Sequence, residues 1–277
     1  MTSGLSQRLP PLAIVAIALV ALYWPFFGTL VQDWNDIPDY SHGYFIPFIA
    51  AYMVYWRRRQ LAEAIARPMN SGLIVVALGL MLLIAGKVGS EFFTQRLSLI
   101  IVLLGLTAFL GGRPFLSLLT SPILYLIFMI PLPGIIWNQI AFPMQIFSTA
   151  LTEKAIYAMG IPVFRAGNIL YLADTVLEVV AACSGLRSLL TMFALAGALA
   201  FFSDFSRWRK MALFFAAAPV AILANIIRLT GTAFLANIYG DRVAQGFLHE
   251  FSGLLVFLLG LVMLIGIHNL LTRWARG

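Results

Sequence analysis

Residues 181–203 have the sequence AACSGLRSLLTMFALAGALAFFS, in which a short polar segment runs directly into a long apolar stretch. An α-helix needs about 20 mostly apolar residues to cross a hydrocarbon core of about 30 Å. The stretch therefore predicts a transmembrane helix over residues 184–203. Cys183, the only cysteine in the chain, lies at its start, where it can form no disulfide within the molecule.

The composition extends this prediction to the whole chain. Of the 277 residues, 61% are hydrophobic and only 10% are charged, which is typical of an integral membrane protein rather than a soluble one. The net charge of +7 comes from basic residues in short loops between apolar runs. This pattern reflects membrane topology, so we predict contact with membrane lipid, no nucleic-acid partner, and one polytopic membrane domain over residues 1–277.

The apolar runs predict an all-α membrane protein with about eight transmembrane helices. The first run contains Pro25 and is followed by further spans, so it is not interpreted as a cleaved signal. The predicted spans are 10–31, 43–56, 71–89, 97–110, 115–131, 184–203, 211–235 and 249–271.

The distribution of lysine and arginine predicts the orientation of these spans. With the N-terminus in the cytoplasm, eleven of the 18 basic residues fall in the cytoplasmic segments. The remaining seven are spread over longer connections that also contain most of the acidic residues. The positive-inside rule therefore favours a cytoplasmic location for both termini.

One connection, residues 132–182, is too long to be a turn, and we predict that it forms an extracytoplasmic insertion leading to Cys183. Residues 137–159 place apolar side chains at helical spacing, which predicts an amphipathic helix in the outer interface. The runs 163–165, 169–172 and 176–180 are rich in residues that favour strands and are broken by turn residues. They predict a small β-hairpin element.

Counting along the last spans places three reactive groups at one depth. Cys183 lies 24 residues before Arg207, and His249 lies 24 residues before Arg273, so each is about 36 Å of helix from the cytoplasmic side. Arg228 lies 18 residues after Lys210, or about 27 Å, and its long side chain extends further. All three groups are therefore predicted at the outer rim of the membrane.

The chemistry of these groups fits acyl transfer from a peptide. A thiolate at Cys183 can attack a carbonyl and form a thioester. The imidazole of His249 can move protons between the thiol and the leaving amine. The guanidinium of Arg228 can stabilise the oxyanion of the tetrahedral intermediate. The helix start and Arg187, four residues after Cys183, would both favour the thiolate.

Each residue also has a structural interpretation. Cys183 can be a buried small hydrophobe, and Arg228 or Arg187 can extend to lipid headgroups. Asn225 lies three residues before Arg228 and can orient its guanidinium or bind a substrate backbone. His42, in the motif Tyr-Ser-His-Gly-Tyr, is also predicted on the outer side, where it can be a second acid/base or a substrate contact.

Three other functions fit part of the pattern. An arginine inside a span is also typical of a transporter or channel for anions. A thiol redox protein needs a cysteine pair, which this chain lacks. A membrane subunit of an exopolysaccharide-export assembly would need none of the three groups. The sequence contains no Walker loop, dinucleotide fingerprint or His-Glu-x-x-His motif, so we predict neither a cofactor nor a metal site.

The residues resemble the exosortase/archaeosortase family of membrane transpeptidases over nearly the whole chain. The resemblance includes Ala-Cys-Ser-Gly-Leu-Arg at 182–187, Asn-Ile-Ile-Arg at 225–228, His249, and the early Tyr-Ser-His-Gly at 40–43. It implies that Cys183, Arg228 and His249 are catalytic, at the periplasmic face of a bacterial inner membrane. It also implies substrates that are secreted proteins ending in a short Pro-Glu-Pro-like motif, a hydrophobic span and a basic tail.

Overall fold

A computed structural model of the chain describes residues 3–173, 175–179, 186–239 and 247–276, with side chains described except at 3–12, 247–252 and 275–276. The chain divides into two compact units, Met1–Pro131 and Leu132–Gly277, called unit 1 and unit 2 below. The boundary coincides with the start of the predicted insertion at residue 132. The insertion therefore belongs to the same unit as the helices that follow it.

All regular secondary structure in the described part of unit 1 is helical. Its predicted spans 10–31, 43–56 and 71–89 correspond to the first, second and fourth of its α-helices. The α-helices are α1 (Ser3–Asp36), α2 (Phe45–Trp56), α3 (Arg58–Glu63), α4 (Ser71–Val88) and α5 (Phe92–Tyr125), and the 3₁₀ helices are Pro38–Tyr44 and Leu126–Met129.

Helix α5 reverses its direction at Gly112. This residue has φ of 71° and ψ of −158°, and a Cβ there would lie 1.8 Å from the carbonyl oxygen of Arg67, so only glycine fits. Arg96 and Met129 line the same cleft, although 33 residues of straight helix would separate them by about 50 Å. The two arms of α5 are therefore antiparallel, in agreement with the predicted segments 97–110 and 115–131.

Helix α2 lies alongside the second arm of α5. At one end, Nε2 of His42 is 3.2 Å from the carbonyl oxygen of Phe128, and at the other end Arg57 donates to the carbonyl of Leu118 at 2.7 Å. The Leu118 carbonyl lacks a helical donor because Pro122, four residues later, has no N–H. Arg57 thus supplies the hydrogen bond that the proline removes, and it fixes α2 against α5.

Helices α4 and α5 approach each other closely along a row of glycines. A Cβ on Gly72 would lie 2.3 Å from the backbone nitrogen of Phe109, and a Cβ on Gly105 would lie 2.6 Å from the backbone nitrogen of Val76. Small residues at such positions let two helix backbones pack directly against each other, which is a common way of joining helices in membranes.

We expect Gly72→Ala to destabilise unit 1, because the neighbouring atoms belong to the backbone of α5 and cannot move independently. Overpacking of this kind costs about 1–3 kcal/mol. Gly28→Ala in α1 is the matched control, because a Cβ there meets nothing within 4 Å. Thermal unfolding of the detergent-solubilised protein measures both. An unchanged midpoint for Gly72→Ala would contradict the close packing of α4 against α5.

Unit 2 contains a small sheet and four long helices within its described residues. Their bounds are α6 (Gly134–Ala158), β1 (Phe164–Ala166), β2 (Ile169–Tyr171), β3 (Val176–Glu178), α7 (Leu186–Phe202), α8 (Arg207–Tyr239) and α9 (Phe247–Arg276).

Helices α7, α8 and α9 pack around a core made mostly of alanine. Small side chains at every fourth position form the facing stripes of α7 and α8, so the two helix axes can lie close together. The fully or nearly fully buried members of this core are Met192, Ala196, Ala200, Leu213, Ala217, Ala221 and Leu264.

The predicted helix over 137–159 is observed as α6. Two residues of its predicted apolar stripe, Ile140 and Phe147, are 38% and 52% exposed, as expected for a face that contacts lipid. The buried face of α6 is polar instead, because Ser148, Thr149 and Thr152 are completely buried there. Hydroxyl groups therefore form much of the surface that α6 packs against the rest of unit 2.

The predicted hairpin is a three-stranded antiparallel sheet in the order β1-β2-β3. Strands β1 and β2 are joined by the two-residue loop Gly167-Asn168, and Gly167 has φ of 62°, which favours glycine. Asn168 fixes the third strand, because its backbone carbonyl accepts from Val179 N at 2.9 Å and its side chain donates to Val179 O at 3.2 Å.

Five helical segments of the described chain are long and apolar enough to cross a membrane, and α7 is a shorter apolar helix. One of the five, residues 92–129, contains both arms of α5. The predicted count of eight spans stays a prediction. The five segments are Ala13–Asp36, Ser71–Val88, Phe92–Met129, Arg207–Tyr239 and Gly253–Trp274.

Candidate active site

The structure describes four of the six predicted site residues with their side chains. Cys183 lies in the segment 180–185, outside the described residues. His249 is the third residue of α9, which confirms its predicted place at a helix start, but its side chain is outside the described set. Arg187, Asn225 and Arg228 belong to unit 2, and His42 belongs to unit 1.

Asn225 and Arg228 lie on α8 just beyond the alanine core. Asn225 follows Ala221 by four residues and continues the stripe that faces α7 and α9, where it is completely buried. Arg228 follows Asn225 by three residues, so it lies close to the same face, and a terminal guanidinium nitrogen is shielded from solvent. Burying an amide and a guanidinium in an apolar bundle costs free energy, so such residues are typical of functional sites.

Helices α7 and α9 run parallel with a nearly constant offset. Nε2 of His268 is 2.9 Å from Oγ of Ser203, and the sulfur of Met192 lies 3.0 Å from a Cβ built on Gly260, so contacts join residues 65 to 68 positions apart. The same offset places Leu186, the first residue of α7, at the level of residues 251–254. His249 lies two to five residues before that level, or about 3–7.5 Å along the helix.

Helices α7 and α8 are consecutive and antiparallel, so their levels can be compared by counting from their connection. Leu186 lies 16 residues before Phe202, or about 24 Å, and Arg228 lies 21 residues after Arg207, or about 32 Å. The Cα of Arg228 is thus about 8 Å farther from the connection than the start of α7. This distance is close to the length of an extended arginine side chain, which tilts back toward the start of its own helix. The start of α7, Arg228 and the start of α9 therefore lie at one end of the bundle.

The sheet and α6 cover this end of α8. Leu170 of β2, Ile156 of α6 and Ala233 of α8 are buried together in one apolar cluster. Ala233 is five residues beyond Arg228, which is about 7.5 Å along the helix. An ion pair between Arg165 and Glu153, at 2.9 Å, also joins β1 to α6. The small sheet is thus packed next to the predicted site.

The chain is fixed on both sides of the segment that contains Cys183. Val179, four residues before the cysteine, is 1% exposed and is bonded to Asn168. Leu186, three residues after it, is also 1% exposed and begins α7. Arg187 follows with an exposed side chain, and its carbonyl accepts a hydrogen bond from Thr191 Oγ1 at 3.0 Å.

His42 has a well-defined environment within unit 1. Its ring is stacked on Tyr40 with centroids 6.1 Å apart, and Nε2 donates to the carbonyl of Phe128. Burial lowers the pKa of His42 below its ordinary value, although hydrogen bonds to carbonyl groups and the Asp39 carboxylate oppose this shift. The neutral imidazole is therefore favoured, as a proton acceptor requires. Its participation in a site with unit 2 stays a prediction.

One buried charge was missed by the sequence analysis. Arg96 was predicted in an outer connection, but it lies inside α5 and is 4% exposed. It forms an ion pair with Asp33 of α1 and lies 3.4 Å from Thr29 Oγ1, which makes its burial possible. The only sign of this buried ion pair in the sequence was that Arg96 directly precedes the apolar run 97–110. Among the described residues, no cluster of His, Cys, Asp and Glu could hold a metal ion.

The model of the transmembrane exosortase family matches residues 34–266. The matched region contains Cys183, Arg228 and His249 and covers most of both units. The chain therefore belongs to the transmembrane exosortase family, and with its several apolar helices it is a multi-pass membrane protein. Searches among curated proteins and among solved structures each found no significant match.

Proposed function

We propose that this protein is a membrane cysteine transpeptidase that cleaves the C-terminal sorting signal of secreted proteins through a thioester intermediate. The observation that carries the proposal is the family match across all three predicted catalytic residues. The geometry of unit 2 supports it, because Arg228, the start of α7 and the start of α9 lie at one end of a single helical bundle.

In the proposed reaction, His249 removes the proton from the Cys183 thiol, and the thiolate attacks the carbonyl carbon of the scissile peptide bond. The negative charge then moves to the carbonyl oxygen, where the guanidinium of Arg228 stabilises it. His249 returns the proton to the leaving amine as the C–N bond breaks and a thioester forms. An acceptor amine, or water, then attacks the thioester and releases the thiol.

The proposed topology brings a membrane-bound substrate to this site. Eight spans with both termini in the cytoplasm would place the site at the periplasmic face of a bacterial inner membrane. The reversal of α5 at Gly112 supports the eight-span count, because each of its two arms can then be a separate span. A substrate tail that itself crosses the bilayer would present its scissile bond at the depth of Arg228.

Co-expression with a secreted reporter tests the proposal. The reporter ends in a short Pro-Glu-Pro motif, a hydrophobic span and a basic tail, and we expect it to lose this tail only when the protein is present. A second reporter, in which the motif is replaced by alanines, is the matched control and should keep its tail. Equal processing in cells with and without the protein would reject the proposed activity.

A further inference from the structure

Five arginines lie in α5 next to its reversal or in the segments that contact this part of α5. Arg57 donates to the carbonyl of Leu118 in the second arm, and the backbone nitrogen of Arg67 donates to Gly111 at 3.0 Å, next to the reversal. Arg57 is held by α5, but the other four arginines have exposed side chains. These four, called the basic rim below, are Arg58, Arg59, Arg67 and Arg113.

The basic rim has little negative charge around it. Glu63 is the only acidic residue between positions 57 and 70. Within the described part of the chain, none of the four arginines forms an ion pair. Their combined charge is therefore available to an anion from outside the protein.

A belt of exposed aromatic side chains adjoins the rim on α2. Tyr52, Tyr55 and Trp56 are 50%, 56% and 57% exposed. The guanidinium of Arg58 lies 4.1 Å from the ring centroid of Tyr55 and donates to the Tyr55 carbonyl at 3.1 Å, so this cation is held beside the belt. Tyrosine and tryptophan concentrate at the depth of lipid headgroups, where their rings are partly in hydrocarbon and partly in water.

From this arrangement we infer that the basic rim and its aromatic belt form a binding site for the phosphate headgroups of anionic phospholipids. Guanidinium groups bind phosphate oxygens through paired hydrogen bonds, and the negative surface potential of anionic lipids adds a long-range attraction. The aromatic rings would contact the glycerol region just below the phosphates. All of its residues belong to unit 1, and none of them is one of the three proposed catalytic residues.

Native mass spectrometry of the purified protein tests the inference. We expect the wild-type protein to retain phosphatidylglycerol in preference to phosphatidylcholine. Arg58→Gln with Arg59→Gln should lower phosphatidylglycerol binding about thirtyfold, since each basic residue near an anionic surface contributes about 1 kcal/mol. Arg58→Lys with Arg59→Lys keeps the charge and should bind more phosphatidylglycerol than the glutamine variant.

The control is Lys87→Gln, which removes a positive charge from the last turn of α4, at the end of that helix opposite to Arg67. This variant should bind phosphatidylglycerol like the wild type. Three results would overturn the inference: equal retention of the two lipids by the wild type, equal loss in the control, or displacement of the lipid by millimolar inorganic phosphate. Reporter processing is measured on the same variants, so the lipid site and the proposed activity can fail separately.

Discussion

Replacing Cys183 with alanine is expected to leave the sorting-signal reporter completely unprocessed while the protein still accumulates in the membrane. The chain has one cysteine, so no other thiol can form the thioester. Loss of an enzyme nucleophile lowers turnover by at least about a thousandfold. Immunoblotting of the reporter measures the loss of its tail, and the same membranes report how much of the variant is present.

The single thiol also permits a direct measurement of its reactivity. A maleimide should label the wild type at one site and the alanine variant at none, and a bound substrate should slow the labelling. If His249 accepts the thiol proton, His249→Ala should slow alkylation at neutral pH, because less thiolate is present. Ser117→Ala, at an exposed serine of unit 1, is the control and should process the reporter normally. Processing by Cys183→Ala at the wild-type rate would exclude the thioester mechanism.

Much of the helical framework was predictable because membrane thickness fixes the length of a span. The predicted segment 71–89 matches α4 (Ser71–Val88) closely, and the two predicted segments 97–110 and 115–131 correspond to the two arms of α5. Gly112 lies between them, and its positive φ is what only a glycine readily allows. Local hydropathy alone was sufficient to predict these elements.

Long-range contacts were not predictable from the same patterns. The hydrogen bond from Arg57 to Leu118 depends on two segments that are 61 residues apart, and the ion pair of Arg96 with Asp33 joins different helices. The buried hydroxyl face of α6 was also missed, because apolar periodicity identifies the lipid-facing side of a membrane helix as readily as its packed side. Contacts between residues so far apart in the sequence can be identified only from the three-dimensional structure.

The candidate site was partly predictable for the same reason. Counting 1.5 Å per residue predicted the level of Arg228, and the offset between α7 and α9 supports a similar level for the start of α9. Depth alone does not say which face a side chain occupies. The spacing from Ala221 to Asn225 is visible in the sequence, but the burial of both side chains is known only from the structure.

Arg228→Gln is expected to lower reporter processing by a factor of about a hundred to a thousand, because removing one donor to a developing oxyanion costs about 2.7–4 kcal/mol. Arg228→Lys keeps a positive charge but loses the planar arrangement of donors, so it should retain more activity than the glutamine variant. Both effects should lower kcat more than they raise KM, since the oxyanion exists only during the reaction.

Arg207→Gln is the matched control, because it makes the same substitution at the exposed opposite end of α8. Arg207→Gln should leave processing unchanged. That result would show that the effect of Arg228→Gln comes from the guanidinium near the site and not from a general disturbance of α8. Labelling of Cys183 adds a second distinction. If Arg228 acts on the oxyanion, Arg228→Gln should still be alkylated at a rate within a few-fold of the wild type, although it no longer cleaves the reporter. A variant that is neither alkylated nor active would instead indicate that Arg228 supports the local fold, and normal cleavage would show that the reaction needs no guanidinium there.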